Sequence, residues 1–429
     1  MLKLLITLFF LLGYLAIAFE HKIRINKAAS AILTGVIVWT IYILWNTDKE
    51  GVSLLIVEHL GNISGILFFL LGAMTIVEII DAHDGFEFIT DRISSSNYRR
   101  LLWITGFLAF FLSAILDNLT TTIVMVSLIR KLIHREKERW IFAGIIVIAA
   151  NAGGAWTPIG DVTTTMLWIG RQITALNIIL RLFLPSLACL VVPVFMGSFM
   201  LKKQNEGPVT IKERKVRDTS PGERKTVFIA GIAALLFVPV FKTLTNLPPF
   251  MGMLFSLGII WILTELIHRG KNEQARGSLS VASALRRTDT PTILFFLGIL
   301  LCITALQSTG LLQDWAGFLT THITNQSVVV LLIGLISAVV DNVPLVAAVQ
   351  GMYPLSVYPT DHFFWEFLAY ATGTGGSILV IGSAAGVAAM GMEKINFFWY
   401  LKRISILALT GYFTGALIYL LQIKLLFYF

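Results

Sequence analysis

The chain has 429 residues, 56% of them hydrophobic and 14% charged, with a formal net charge of +8. Soluble domains run about 45–50% apolar and about 25% charged, so this composition leaves too few polar residues to cover a soluble fold and points to a polytopic membrane protein. Its two cysteines, Cys189 and Cys302, lie inside apolar runs and exclude a disulfide scaffold; the basic residues sit in connections between apolar blocks, where they report orientation and argue against nucleic-acid binding.

Ten segments read as able to cross about 30 Å of hydrocarbon. In chain order they are Leu2–Phe19, Ala28–Trp45, Ile63–Ile80, Trp140–Gly170, Ile178–Met200, Val227–Phe241, Phe250–Ile267, Pro291–Gly310, Phe367–Gly391 and Ser405–Leu421. Lys3, an apolar run and Ala16-Ile17-Ala18 give the first of them the look of a cleavable signal peptide. Most nearby basic residues follow that run rather than precede it, and it has a partner in the second half, so it is read as a retained span.

Two further apolar stretches, Leu101–Ile129 and Ser327–Met352, carry Asp-Asn in the middle. An acid at the bilayer centre is expensive unless it faces protein or water, so each stretch is expected to be a re-entrant hairpin with Asp-Asn near its tip. With that choice, 27 of the 33 Lys and Arg residues fall on one side of the membrane. Treating the first hairpin as a single crossing moves the Arg130–Arg139 and Lys202–Lys225 stretches across and dissolves the asymmetry. The basic side is then cytoplasmic and both termini are outside.

The chain also resembles itself. Ile66-Leu67-Phe68-Phe69-Leu70 recurs as Ile293-Leu294-Phe295-Phe296-Leu297, and Ser113-Ala114 with Asp117-Asn118 recurs as Ser337-Ala338 with Asp341-Asn342. Gly153-Gly154 followed by Ile159-Gly160 recurs as Gly375-Gly376 followed by Ile381-Gly382. The expected fold is therefore all-α, with two inverted repeats of five transmembrane helices plus one re-entrant hairpin each. Residues 1–200 form the first repeat (hairpin 101–129, broken helix 140–170), 201–226 a cytoplasmic linker, and 227–429 the second repeat (hairpin 327–352, broken helix 367–391). Inverted repeats with interrupted helices are characteristic of secondary transporters, whose sites lie near the midplane.

Four places put polar groups at membrane depth: the two hairpin tips, the stretch Asn151–Asp161, and Thr372-Gly373-Thr374-Gly375-Gly376-Ser377. Glycines and Pro158 let these helices unwind, and unwound backbone is tolerated at depth only where protein buries it or it lines a cavity. A hard monovalent cation prefers oxygen ligands. Asp117, Asn118, Thr120, Asn151, Thr157 and Asp161 offer that set within one repeat, and Asp341 and Asn342 extend it from the other. Na⁺ is expected at Asp117, Asn118, Asn151 and Asp161, in competition with H⁺ for the carboxylates. Asn118 and Asn342 read equally well as helix caps alone or as caps that are also ligands. The second half has Leu379-Val380 and Ser383 where the first has Thr157-Pro158 and Asp161, so the halves do not supply equivalent sites.

A second cluster, Glu78, Asp81 and His83, closes the third span. It reads either as a proton entrance or pH sensor, given the near-neutral titration of histidine, or as a solvated helix end. Glu265, His268 and Glu366, near other span ends, are read as solvated.

At Val77-Glu78-Ile79-Ile80-Asp81-Ala82-His83-Asp84-Gly85-Phe86, Leu116-Asp117-Asn118-Leu119-Thr120-Thr121-Thr122 and Asn151–Asp161, the sequence resembles the NhaD-type sodium/proton antiporters. These belong to an ion-transporter superfamily that includes arsenite permeases and dicarboxylate or citrate carriers. The resemblance runs from Leu2 to Phe429. It implies a homodimer with scaffold and transport domains in the bacterial inner membrane. It also implies expulsion of Na⁺ or Li⁺ driven by H⁺ inflow, of use in salt tolerance and pH homeostasis, without a cofactor. Two rivals share the fold. An arsenite or antimonite permease would favour thiols, and both cysteines lie outside the midplane segments. A Na⁺-coupled carboxylate or sulfate carrier would need a site without the negative charge of Asp117 and Asp161. A membrane enzyme would need a nucleophile or metal-ligand motif at plausible depth, and none is evident.

Overall fold

The computed structural model describes residues 1–18, 20–87, 97–133, 135–201, 219–271, 277–323 and 325–427. Among them twenty helices follow one another. The first half contains α1 (Leu2–Ala18), α2 (Glu20–Ile23), α3 (Lys27–Trp45), α4 (Lys49–Ala82), α5 (Tyr98–Leu116), α6 (Asn118–Leu132), α7 (Glu136–Gly154), α8 (Val162–Ile169) and α9 (Ala175–Met200). The second contains α10 (Pro221–Thr245), α11 (Pro249–Ile267), α12 (Val281–Arg287), α13 (Thr290–Ser308), α14 (Leu311–His322) and α15 (Gln326–Ile336). It continues with α16 (Asn342–Met352), α17 (Phe363–Gly375), α18 (Ala384–Glu393), α19 (Phe397–Arg403) and α20 (Ser405–Phe427).

Eight of these (α3, α4, α5, α9, α10, α11, α13 and α20) are long and apolar enough to cross a membrane. Large apolar side chains such as Leu33, Leu54, Phe199, Ile262 and Leu417 are exposed on them, as suits a lipid-facing surface and not a soluble one. Two spans start earlier than apolarity alone suggests, because their caps lie outside the apolar run. Asp48 accepts from the Gly51 amide at 2.9 Å and starts α4 at Lys49, well before Ile63. Ser220 and Glu223 form a reciprocal capping box with Pro221 in the first turn, so α10 starts ahead of Val227. Of the expected linker, residues 202–218 lie outside the described residues.

The stretches 140–170 and 367–391 are each two short helices around an irregular segment, α7 with α8 and α17 with α18. Glycines set how closely these helices approach their neighbours. A Cβ on Gly153 would collide with the Phe110 carbonyl, and one on Gly375 with the Gly334 carbonyl. Backbone contact between α7 and α5, and between α17 and α15, therefore requires glycine at both positions. Hydroxyls repeat the pattern: Ser113 donates to the Ala150 carbonyl at 2.6 Å and Ser337 to the Thr372 carbonyl at 2.9 Å.

Two apolar clusters result. One joins α1, α3, the first part of α4, α13 and the start of α14 with Met166 of α8 and Val343 and Ala347 of α16, and there α3 is fixed to α13 by the Trp39 indole donating to the Leu301 carbonyl at 2.8 Å. The other gathers the broken helices with α5, α6, α9 and α20.

Candidate functional site

Four helix N-termini converge on one buried place. Asp117 caps α6, Asp161 caps α8, Asp341 caps α16 and Ser383 caps α18, each accepting from a backbone amide of the helix it starts. The positive end of each helix favours an anionic or oxygen-bearing cap, so the sequence concentrates carboxylates where these four ends meet.

Asp161 is the hub. Its Oδ1 accepts from the Thr163 amide at 3.0 Å. Its Oδ2 accepts from Asn118 Nδ2 at 3.0 Å and from Asn342 Nδ2 at 3.3 Å, one asparagine from each half of the chain. Asn118 Nδ2 also reaches Asn151 Oδ1 at 3.0 Å, and Asn151 Nδ2 donates to Ser383 Oγ at 3.0 Å. All five residues are buried, Asp161 to 2% exposure and Asn151 completely. A carboxylate oxygen has more than one acceptor direction, so Asp161 keeps capacity for a cation beyond these bonds. Asp117 and Asp341 are near enough for their charges to act on it.

Asp117 stands beside this network rather than in it. Its Oδ1 accepts from the Thr120 amide at 2.8 Å and its Oδ2 from the Thr120 hydroxyl at 2.9 Å. Its backbone has φ 103°, ψ 161°, a conformation costing a non-glycine residue roughly 1–3 kcal/mol and typical of functional positions. The strain is held by the cap and the turn between α5 and α6. Thr157, by contrast, is spent on structure: its hydroxyl donates to the Ala114 carbonyl at 2.6 Å and ties the break to α5.

Sequence reasoning missed three groups here. Ser383 was noted only as a departure from the repeat, yet it closes the network. The hydroxyls of Thr121 and Thr122, in the first turn of α6, are buried without a hydrogen-bond partner among the described residues, and a threonine run at a hairpin tip was their only signal.

Cavities approach the site from the end of α4. A small one of about 80 Å³ touches Asp117, Asn118, Thr120, Val162 and Thr165. It meets, at Met74, Leu119 and Thr120, a larger cavity of about 430 Å³ walled by Glu78, Asp81, Asp84, Lys131 and Arg287. A separate cavity of about 490 Å³ is lined by Glu58, His59, Asn62, Met166, Gln307 and Gln350. Glu58 and Glu78 share α4, and at about 1.5 Å rise per residue they stand about 30 Å apart, a membrane's thickness.

The Glu78 cluster divides. Glu78 faces the cavity and pairs with Arg287 at 3.6 Å, and Asp81 lines the same wall. His83, just beyond the end of α4, is fully buried and turned elsewhere. Its Nδ1 lies 2.6 Å from the Ile79 carbonyl and its Nε2 lies 2.9 Å from Nε2 of His268, with the two rings nearly parallel. A carbonyl only accepts, so Nδ1 carries the proton, Nε2 is an acceptor, and His268 donates. The expected solvation of His268 is thus overturned: it is 2% exposed because it stacks on His83. Glu366 is also buried, where Tyr419 donates to it at 2.7 Å and Asn177 donates as well.

Burial, followed by the charges of His268 and Lys271, pushes His83 down from 6.5 to about 4, against the opposing pull of the Ile79 carbonyl and Glu223. A folded state that keeps this imidazole neutral is favoured above pH 6.5. That advantage is lost as pH falls toward 4, where the unfolded chain takes up the proton and the folded chain resists it. The melting midpoint of the purified protein should therefore drop between pH 6.5 and 4, and His83→Asn should flatten that drop. An equal decline in both proteins would remove the assignment.

Comparison with known proteins gives a consistent family. A family model described as citrate transporter matches residues 3–375. The chain is 50% identical over 420 residues to Sodium/proton antiporter 1 of Arabidopsis thaliana, covering 96% of this chain and 71% of that protein. It is 49% identical to Sodium/proton antiporter 2 of the same plant, covering 96% and 98%. With the Na(+)/H(+) antiporter NhaD of Vibrio cholerae it shares 32% identity, covering 96% and 90%. In fold it is similar to the solved YdaH transporter of Alcanivorax borkumensis, with a TM-score of 0.55 at 14% identity, over 89% of this chain and 90% of that one.

Proposed function

The chain belongs to the citrate transporter family and, within it, to the NhaD-type sodium/proton antiporters, and from that premise we propose how its residues carry out sodium/proton exchange. The observation that carries the reading is Asp161: a buried carboxylate at the meeting of four helix N-termini, held by one asparagine amide from each half. Such a group binds either a proton or a desolvated alkali cation, and the competition between them is itself the coupling. Asp117, Asn118, Thr120, Asn151 and Asp161 form the primary cation and proton site, with Asn342 steadying Asp161 and Asp341 adding charge. The hard-oxygen donor set suits Na⁺, and Li⁺ by the same chemistry. The buried cysteines Cys189 and Cys302 lie in α9 and α13, away from this site, which speaks against a thiol-seeking metalloid as cargo.

The paired contacts of Ser113 with Ala150 and Ser337 with Thr372, and of Gly153 and Gly375 with their facing carbonyls, support an inverted repeat. We divide it at the connection between α9 and α10, with α5–α6 and α15–α16 as its hairpins. The cavity at Glu78 and Asp81, rimmed by Lys131 and Arg287, then opens on the side rich in basic loops, the side from which the chain is inserted. Na⁺ reaches Asp117 by Thr120 from there and the proton leaves by the same route, and Glu78 and Asp81 attract both cations.

The test is exchange in inside-out membrane vesicles from a bacterial strain lacking its own antiporters. A pH gradient imposed across them should collapse on addition of NaCl, saturably, and not in vesicles without the protein. No response from vesicles containing folded protein would refute the reading.

A further inference from the structure

Resting on the antiporter reading, we propose that Lys27 is the resident counter-cation of Asp341, the charge that transported Na⁺ must displace, so that Lys27 sets the apparent Na⁺ affinity of the site. In the sequence Lys27 is one more basic residue in a loop between spans. In the structure it is the first residue of α3, and its side chain runs inward. Its Nζ stands 3.4 Å from Asp341 Oδ2 and 4.4 Å over the ring of Phe295, an arrangement that steadies an ammonium group away from bulk water. Both partners are largely sheltered, at 29% and 21% side-chain exposure.

Three features give this pair a role beyond anchoring. Asp341 adjoins Asn342, whose amide is bonded to Asp161, so a change at Asp341 reaches the hub through the next residue. Asp117 and Asp341 both act on Asp161, like charges repel in a low dielectric, and an ammonium at Asp341 relieves that repulsion for as long as no sodium ion does. The lysine and the aspartate also come from elements far apart in the chain that pack on one apolar cluster, α3 with α13, and α16 through Val343 and Ala347. A sodium ion that binds at Asp341 therefore competes with an ammonium presented from the start of α3. Occupancy by Lys27 lowers the fraction of sites ready for Na⁺, and apparent affinity falls by that fraction: roughly tenfold if Lys27 holds Asp341 nine-tenths of the time.

Two readouts test this: binding of radiolabelled Na⁺ to purified protein, and the Na⁺ dependence of exchange in vesicles. Lys27→Gln should lower the half-saturating Na⁺ concentration by about threefold to tenfold and lower the maximal rate, because release slows. Lys27→Arg, whose planar fork holds a carboxylate more tightly, should raise the half-saturating concentration. Asp341→Asn should make the Lys27→Gln change silent in the double variant. A lysine that only anchors the fold would reduce the amount of protein, or both constants together, without tightening Na⁺. Unchanged or weaker Na⁺ binding in Lys27→Gln overturns the proposal. If that variant does not reach the membrane, an unchanged constant in Lys27→Arg does so instead. Wild-type protein that binds Na⁺ without exchanging it would refute the antiporter reading while the binding constants still decide Lys27; wild-type protein that binds no Na⁺ refutes both.

Discussion

Asp161→Asn is expected to abolish Na⁺-dependent proton movement while the protein still reaches the membrane. Asparagine is as good a helix cap as aspartate, so α8 keeps its start and the side-chain volume hardly changes. The charge does not survive, and neither does the acceptor pattern. Oδ2 of Asp161 accepts from two amide groups, Asn118 and Asn342, while Oδ1 accepts from the Thr163 amide. An asparagine there must turn its own NH₂ toward one of those donors. That mismatch costs about 1–3 kcal/mol, tolerable for a protein with this much buried surface. Loss of the carboxylate opposite a desolvated cation costs about 3–5 kcal/mol, which is more than a hundredfold in binding at 1.4 kcal/mol per decade. Asp117→Asn should have the same outcome by a different path. The residue lies on the small cavity rather than in the amide network, so its loss removes the charge that draws the ion to the hub. The measurement is NaCl-induced collapse of the pH gradient in vesicles matched for protein content. Substantial exchange in both variants would end the aspartate mechanism.

How far the sequence foretold this site depended on what kind of signal each residue left. Asp117, Asn118, Asn151, Asp161 and Asn342 are polar residues in otherwise apolar runs, the last three close to glycine or proline, and bilayer energetics marks them. Their meeting in one place is visible only in the structure, where Asp161 accepts from Asn118 and Asn342 and Asn118 reaches Asn151. The direction of a side chain is another matter. Thr157 stands in the same break, yet its hydroxyl is taken by the Ala114 carbonyl, and nothing local encodes that choice. His268 and Glu366 sit where a span meets water, so solvation was the natural expectation. They are buried because His83, Tyr419 and Asn177 arrive from other helices. Lys27 was hidden most completely: its partner is 314 residues away, and its position among basic residues near a span end suggested orientation and nothing else.

The largest loss of stability should come from Glu393→Ala. Glu393 ends α18, and its side chain is completely buried. Oε2 lies 2.8 Å from Arg139 Nε at the start of α7, and Oε1 lies 3.3 Å from Arg130 Nε near the end of α6. The Glu393 carbonyl also accepts from the Trp140 indole at 3.0 Å. One carboxylate thus ties three helices from both halves of the chain. Removing one partner of a buried pair typically costs 3–5 kcal/mol, because the remaining charge is left poorly solvated. Here Arg130 is 54% exposed and can turn to water, whereas Arg139 is 22% exposed and cannot do so as readily. About 3 kcal/mol is therefore expected, seen as a melting midpoint several degrees lower in detergent. Glu393→Gln should fall between, since it keeps the volume and one acceptor. Replacing Glu393 and Arg139 together by leucine and methionine should cost less than the two single changes summed, the sign of a shared interaction. Variant protein that survives should keep the wild-type Na⁺ half-saturation, since Glu393 belongs to neither the amide network nor the cavities. A Glu393→Ala protein as stable as wild type, or single effects that simply add, would show that the arginines are satisfied without it.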